Sequence, residues 1–341
     1  MTHWIGALAA VAFALVSTAR PAAAETLEIG YMPILPVAQA FVAIEEGWLA
    51  EAGIEPKLIQ FQNGPAMVQA LLAGQLDVAH FGIGPAMVAR GKGVDLKVVA
   101  SSTVEQISII ALPDLAAAFA EGPAATAFAR FQAKHGRKPV ISTFPLGSVP
   151  ETVLHYWVEK QLGLSRDTMD VIYQGAAQVQ QALLTGAVDG AAILEPVVTL
   201  TLSRVEGARV VEKGSALFPG QPGAVLAVRE ALIARAPQLV QALVTAHIRA
   251  TEVLRNDPDA AAAAVGKYVG GGRMPKAVVL TALQNSKDAF VADPDYIIPG
   301  TRTMHDYQAE VGTLKTKVDL DALFDTSFYK AALPALKAEA R

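Results

Sequence analysis

Cysteine is absent from all 341 residues. That single absence removes disulfide staples, thiolate metal sites, a cysteine nucleophile and a lipid-modified amino-terminal cysteine. Aromatic residues make up only 6%. Lys and Arg are dispersed without a basic stripe, so the pattern of a nucleic-acid surface is missing. The six histidines are scattered, and none has HExxH or paired ligand spacing. Asp77 and His80 stand three apart on a predicted strand, which points them to opposite faces. No GxSxG, Walker loop or complete GxGxxG occurs. These gaps argue against an enzyme, a bound metal and a cofactor. Beyond residue 24 no apolar run is long enough to cross a bilayer, and the mature protein is expected to be soluble.

The one long apolar run stands at the start. Ile5 to Val16 is followed by Ser17-Thr18-Ala19-Arg20-Pro21 and Ala22-Ala23-Ala24. That order of apolar core, breaker and A-x-A site is the pattern of a secretory signal peptide, although Met1 to Trp4 carries no Lys or Arg. Residues 1–24 are expected to be cleaved, delivering the chain to a Gram-negative periplasm. Losing Arg20 leaves 27 basic against 32 acidic residues, a net charge of 27 − 32 = −5. The remaining length suits two domains with a sizeable core.

Periodicity reads as alternating strands and helices. Thr26–Tyr31 is strand-like, and Val37, Phe41, Ile44 and Trp48 share one helical face. A strand over 57–61, a helix over 65–72 and a strand over 77–81 follow. This β-α-β-α-β order predicts an α/β fold with a mainly parallel sheet flanked by helices. The unit then recurs. Leu71-Leu72-Ala73-Gly74-Gln75-Leu76-Asp77 resembles Leu183-Leu184-Thr185-Gly186-Ala187-Val188-Asp189 at an offset of 183 − 71 = 112, which also aligns Gln62 with Gln174. A strand over 139–143, a helix over 150–161 and a strand over 169–173 complete the second copy. Lobe 1 is expected over residues 25–112 and lobe 2 over 113–217. The return to lobe 1 spans 218–341, beginning with a strand over 225–228 and ending in a helix-rich part. Ligands of open α/β sheets sit outside the carboxyl ends of the strands, so two such lobes predict an inter-lobe cleft closed by a hinge.

Several words carry a family resemblance. They are Gly30-Tyr31-Met32-Pro33, Ile44-Glu45-Glu46-Gly47-Trp48-Leu49, Ala70–Ala79, Gly147-Ser148 before a helix, Ala182–Gly190 and Glu195-Pro196. In order and spacing they resemble the substrate-binding proteins of ABC importers for nitrate, taurine and aliphatic sulfonates, a family that also binds pyrimidine precursors. The resemblance implies a two-lobed periplasmic binding fold of type II and capture of a small organic anion. It further implies a membrane permease as partner, with the binding protein itself expected as a monomer. A binder of a ring-type precursor, or a binding subunit serving a sensor, would carry the same words. A eukaryotic pyrimidine-synthesising enzyme shares the fold but relies on a Cys-rich motif that is missing here.

The candidate ligand residues follow the strand ends. Pro33, Ile34 and Leu35 form an apolar wall suited to carbon or a ring. Gln62 and Asn63 open the next helix, with Asn63 also fitting an N-cap. Gly84 and Pro85 follow the third strand, where glycine lets a ligand approach the backbone. In the second lobe the candidates are Thr143, Gly147, Ser148, Val149, Gln174 and Glu195. Gly147-Ser148 opens a helix whose N–H groups suit an anion, and the resemblance implies donors to the ligand at this loop. Ser148 and Glu151 equally fit an S-x-x-E capping box. Glu195 either meets a ligand ammonium or amino group or caps a helix starting at Pro196. The loops over 31–36, 62–65, 82–85 and 147–151 contain no Lys or Arg, so an anion there would depend on helix dipoles and neutral donors.

Overall fold

The computed structural model describes residues 24–339, and residues 1–23 of the expected export segment lie outside them. Strands β1 (Glu25–Tyr31), β2 (Ile54–Gln60), β3 (Val78–Gly82) and β4 (Leu96–Ser101) come first in the chain. Then follow β5 (Ser108–Ala111), β6 (Val140–Thr143), β7 (Asp170–Tyr173), β8 (Gly190–Ile193) and β9 (Arg209–Lys213), and last β10 (Ala224–Arg229). They form two five-stranded sheets, ordered β2-β1-β3-β10-β4 and β7-β6-β8-β5-β9. In each sheet three strands run parallel, and a fourth, β10 or β5, runs antiparallel to its neighbours.

The duplication holds at the level of register. Ile29 pairs with Val78, and Ile141 pairs with Gly190, so both partners shift by 112 (141 − 29 and 190 − 78). The repeated aspartate explains why its sequence word recurs. Asp77 Oδ2 accepts from Glu28 N at 3.1 Å, and Asp189 Oδ2 accepts from Val140 N at 2.8 Å. Each carboxylate meets an arginine, Arg235 at 3.2 Å and Arg137 at 2.5 Å. Each aspartate N–H returns to the same partner strand, at Glu28 O and Val140 O. Both therefore pin the first strand to the third, at the sheet end away from the loops that hold the site. Gly74 and Gly186, with φ of +74° and +69°, end the preceding helices in the left-handed region that favours glycine.

Apolar packing fills both lobes. Trp157, Phe128 and Phe131 are fully buried in the second. Phe41 stacks on Tyr268 at 4.5 Å in the first. Each such ring removed from water contributes roughly 1.5–3 kcal/mol. In the helix-rich return, Pro237 separates the helix Glu230–Arg235 from the helix Pro237–Asn256, because a proline nitrogen cannot continue the hydrogen-bond ladder.

The lobes are joined by two chain crossings that pair with each other. Gly223 N donates to Thr103 O at 2.9 Å, and Glu105 N donates to Gln221 O at 2.9 Å. A Cβ on Gly223 would lie 2.5 Å from Thr103 O, so glycine alone permits this approach. The first crossing precedes Ser108, earlier than the expected boundary at Leu112, because Ser108–Ala111 is the antiparallel member of the second sheet. A short strand beside a crossing gives no alternation long enough to show which sheet it joins.

Candidate functional site

The carboxyl ends of the two parallel strand sets face one another, and the loops leaving them touch. Leu35 N donates to Glu195 O at 3.2 Å, and Ala176 N donates to Gln62 O at 3.2 Å. Gln62 follows β2 and Ala176 follows β7, the edge strands farthest from the paired crossings. The second contact therefore closes the open side of the cleft.

In the centre the lobes pack directly. A Cβ on Gly82 would lie 2.8 Å from Val149 Cγ2, and one on Gly84 would lie 2.9 Å from Gly147 O. The helix Ile83–Gly91 thus meets the helix Val149–Tyr156 through glycines, and buried Pro85 lies against Gly64. Gly84, Pro85, Gly147 and Val149, expected to touch a ligand, touch neighbouring protein here, and no solute-sized gap separates Gly84 from Gly147.

The backbone N–H of Gly147, expected to meet an anion, is used by the protein itself. Ser148 Oγ caps the helix by accepting from Glu151 N at 3.5 Å, and Glu151 Oε2 accepts from Gly147 N at 3.2 Å. The capping box forms with its carboxylate one residue further back than usual. Glu151 is only 2% exposed. Burial raises its carboxyl to about 7, against the pull of the Gly147 N–H and Arg166. His155 stands 3.8 Å from Glu151, bonds to Tyr173 at 3.1 Å, and is lowered to about 4 by burial and by Arg166.

Four further candidates are engaged within the fold. Asn63 accepts from Ala66 N at 2.9 Å as an N-cap, and the hydroxyl of buried Thr143 donates to Ala192 O at 3.0 Å. Gln174 Oε1 accepts from Ser142 at 2.9 Å. Glu195 accepts from Thr199 N at 2.9 Å and from the Thr199 hydroxyl at 2.7 Å. Its carboxylate caps the helix Val197–Arg204 through Thr199. Burial raises its carboxyl, opposed by the bonds from Thr199 and Asn285.

Open space lies to either side of the central contact. At the mouth a cavity of about 140 Å³ is lined by Pro33, Ile34 and Gln62 from the first lobe and by Ala176 and Pro196 from the second, with Arg273 at its edge. The Oε1 of Gln62 is buried there without a hydrogen-bond partner among the described residues. On the opposite side runs a groove of about 600 Å³ lined by the expected residues Pro85 and Gly147 together with Lys92, Arg166 and Lys315. Among the described residues no cluster of His, Asp and Glu could hold a metal ion, and no helix is long and apolar enough to cross a membrane.

Residues 20–268 match the model of the NMT1-like family. The chain belongs to the NMT1-like family. A Bacillus subtilis protein named for binding aliphatic sulfonates is 25% identical over 296 residues, covering 86% of this chain and 84% of its own. Among solved structures, the alkanesulfonate-binding protein SsuA of Xanthomonas axonopodis superposes with a TM-score of 0.72. It is 20% identical, with 90% of this chain and 100% of that one covered. The nitrate-binding protein NrtA of Synechocystis gives a TM-score of 0.77 at 15% identity, with 93% and 90% covered. These likenesses carry the two-lobed binding-protein fold.

Sequence reasoning missed three contributors to the cleft of this NMT1-like protein. Ala176 and Ala177 begin the helix that faces Gln62. Gln308, fully buried on the helix Pro294–Glu310, donates to Thr152 at 2.9 Å between the lobes. Gly270, Gly271 and Arg273 reach the mouth from the return segment, for which only a helix-rich part was expected. Three successive glycines before an arginine were the available signal.

Proposed function

We propose that this protein is the solute-binding component of an ABC importer, working outside the cytoplasmic membrane as a monomer beside a membrane permease. It captures a small organic anion such as a sulfonate or taurine, or nitrate, in the space between its lobes, and releases it unchanged. The observation that carries this reading is the pair of register-matched lobes joined by two paired crossings, with the Gln62–Ala176 contact on the far side. A contact one hydrogen bond strong can break and reform as the lobes hinge. The naming of the Bacillus relative supports the solute class.

The test is a thermal-shift panel of sulfonates, nitrate, carboxylates and pyrimidines on the mature protein, followed by small-angle scattering. A true ligand at 100 times its dissociation constant should add about 2.7 kcal/mol and favour a compact particle over the open form. A saturating ligand that leaves the scattering profile unchanged would defeat the closing mechanism. One observation favours a second reading, an uncharged ring-type solute: Glu151 already holds the Gly147 N–H on which an anion would depend. Preferential stabilisation by pyrimidines in the same panel would select it.

A further inference from the structure

The chain passes the mouth of the cleft a second time, after residue 268, where the match to the NMT1-like family ends. Tyr268 anchors that passage, stacked on Phe41 and donating to Glu45 Oε1 at 2.7 Å. Gly270, Gly271 and Gly272 then take φ of +59°, +66° and +72°. Three consecutive left-handed residues are strained for any side chain, and a Cβ on Gly272 would fall 2.8 Å from Lys267 O. Gly270 N donates to Pro33 O at 3.2 Å, which ties this turn to the first-lobe wall of the cavity. Its shape sets Arg273 on the cavity's edge.

Across the cavity begins the helix Ala176–Thr185, whose N-cap is Gly175 and which therefore has no side-chain cap. Its first-turn N–H groups carry the positive end of the helix dipole. Ala176 N is used by Gln62 O, and Ala177 lines the cavity beside it. Arg273 makes no hydrogen bond or ion pair with any described residue. The Gln62 Oε1 is shielded and unpartnered while the Gln62–Ala176 contact is closed, and parting of that contact would free it to accept from a ligand N–H or O–H. Ile34, Val197 and Met274 supply an apolar lining between these polar groups.

We propose that Arg273 receives the ligand's negative group at the cleft mouth, together with the start of the helix Ala176–Thr185, while the Gly147–Ser148 turn receives none. The inference rests on the reading of the chain as a binder of a small organic anion. It adds the location of the charge and the ligand form that fits: a short acid with a hydrogen-bond donor placed for Gln62. The Gly147 N–H is spoken for by Glu151, whereas no acidic residue lines the mouth cavity. A guanidinium suits this task because it can hold two oxygens of a sulfonate or carboxylate at once.

The test is calorimetric titration of wild type, Arg273→Gln, Arg273→Lys and Lys276→Gln with taurine, ethanesulfonate and nitrate. Arg273→Gln should weaken the tightest of these at least tenfold, without changing the melting temperature of the unliganded protein. Arg273→Lys should recover part of the loss, and Lys276→Gln should stay within twofold of wild type. Wild-type affinity in Arg273→Gln, or an equal loss in Lys276→Gln, would overturn the assignment while leaving anion capture intact. Failure of all three probes to bind wild type would remove the anion reading and this inference with it.

Discussion

The two lobes share their strand pairing at a constant offset yet differ in what they bury. Beneath the first sheet, His80 and His247 stack 6.1 Å apart with both rings buried. His80 is pushed down to about 3 by burial and the neighbouring His247, and His247 to about 4 by burial. His247 Nε2 bonds to Ser101 O at 2.6 Å, while both Nδ1 atoms lack partners among the described residues. The second lobe buries a carboxyl beside a single histidine, Glu151 at the start of its first helix and His155 one turn on. Pairing register therefore survived duplication where the buried chemistry did not. Registers are set by backbone bonds common to both copies, whereas burial of a titratable group depends on what packs above it.

That contrast can be broken by pH, and the largest effect belongs to the first lobe. Unfolded histidine takes up protons near pH 6.5, well above the folded values of about 3 and 4. Stability is fully present above pH 6.5 and is lost as pH falls toward 4, at a cost on the order of 3 kcal/mol per group. The melting temperature should fall steeply over that window, and His80→Leu should flatten the slope. An equal slope in the variant would show that the first-lobe core does not govern the acid limit.

In the second lobe His155, lowered to about 4, follows the first-lobe histidines, whereas Glu151 should respond in the opposite direction. Glu151 has a folded value of about 7 against an ordinary 4.5. Its contribution is therefore complete below pH 4.5 and lost as pH rises through 7. Glu151→Gln keeps an acceptor for Gly147 N–H and should stabilise the protein at pH 8 by on the order of 2 kcal/mol. At pH 5 the gain should nearly vanish. Denaturant titrations at the two pH values measure this, and a gain of one size at both would assign the effect to packing.

The smallest effect sharpens what the lobes have in common. Asp189→Ala leaves the Val140 N–H without its acceptor and should cost about 1–3 kcal/mol. Asp77→Ala should cost less, because its bond to Glu28 N is longer, 3.1 Å against 2.8 Å, and its side chain is more exposed, 21% against 12%. Urea midpoints of the two variants give the order directly, and a reversed order would end the equivalence of the two pins.

Much of the scaffold was legible in the sequence because it repeats. The words around Asp77 and Asp189 recur since each aspartate bonds its own sheet in the same way. Asn63 as a cap and the S-x-x-E box at Ser148 were readable because capping is local. Residues brought together only by lobe closure were not. Nothing near Gly84 in the chain indicates that it faces Gly147, and nothing near Arg273 indicates Pro33. Glu195 was open between two roles, and its sequence neighbours gave no sign that Thr199 engages both of its oxygens.

The place of β10 in the first sheet has a consequence for the order of assembly. It lies between β3 and β4, and among the described residues it is the only strand that pairs with β4. The second sheet is one uninterrupted stretch, Ser108–Lys213, with its antiparallel strand made first. A chain delivered amino end first can therefore close its second sheet while β3 still has an open edge and β4 has no neighbour. Such edges invite pairing with other chains. The lobe that begins the protein is the last to be finished, and the interval before residue 224 emerges is when a holding chaperone has most to protect.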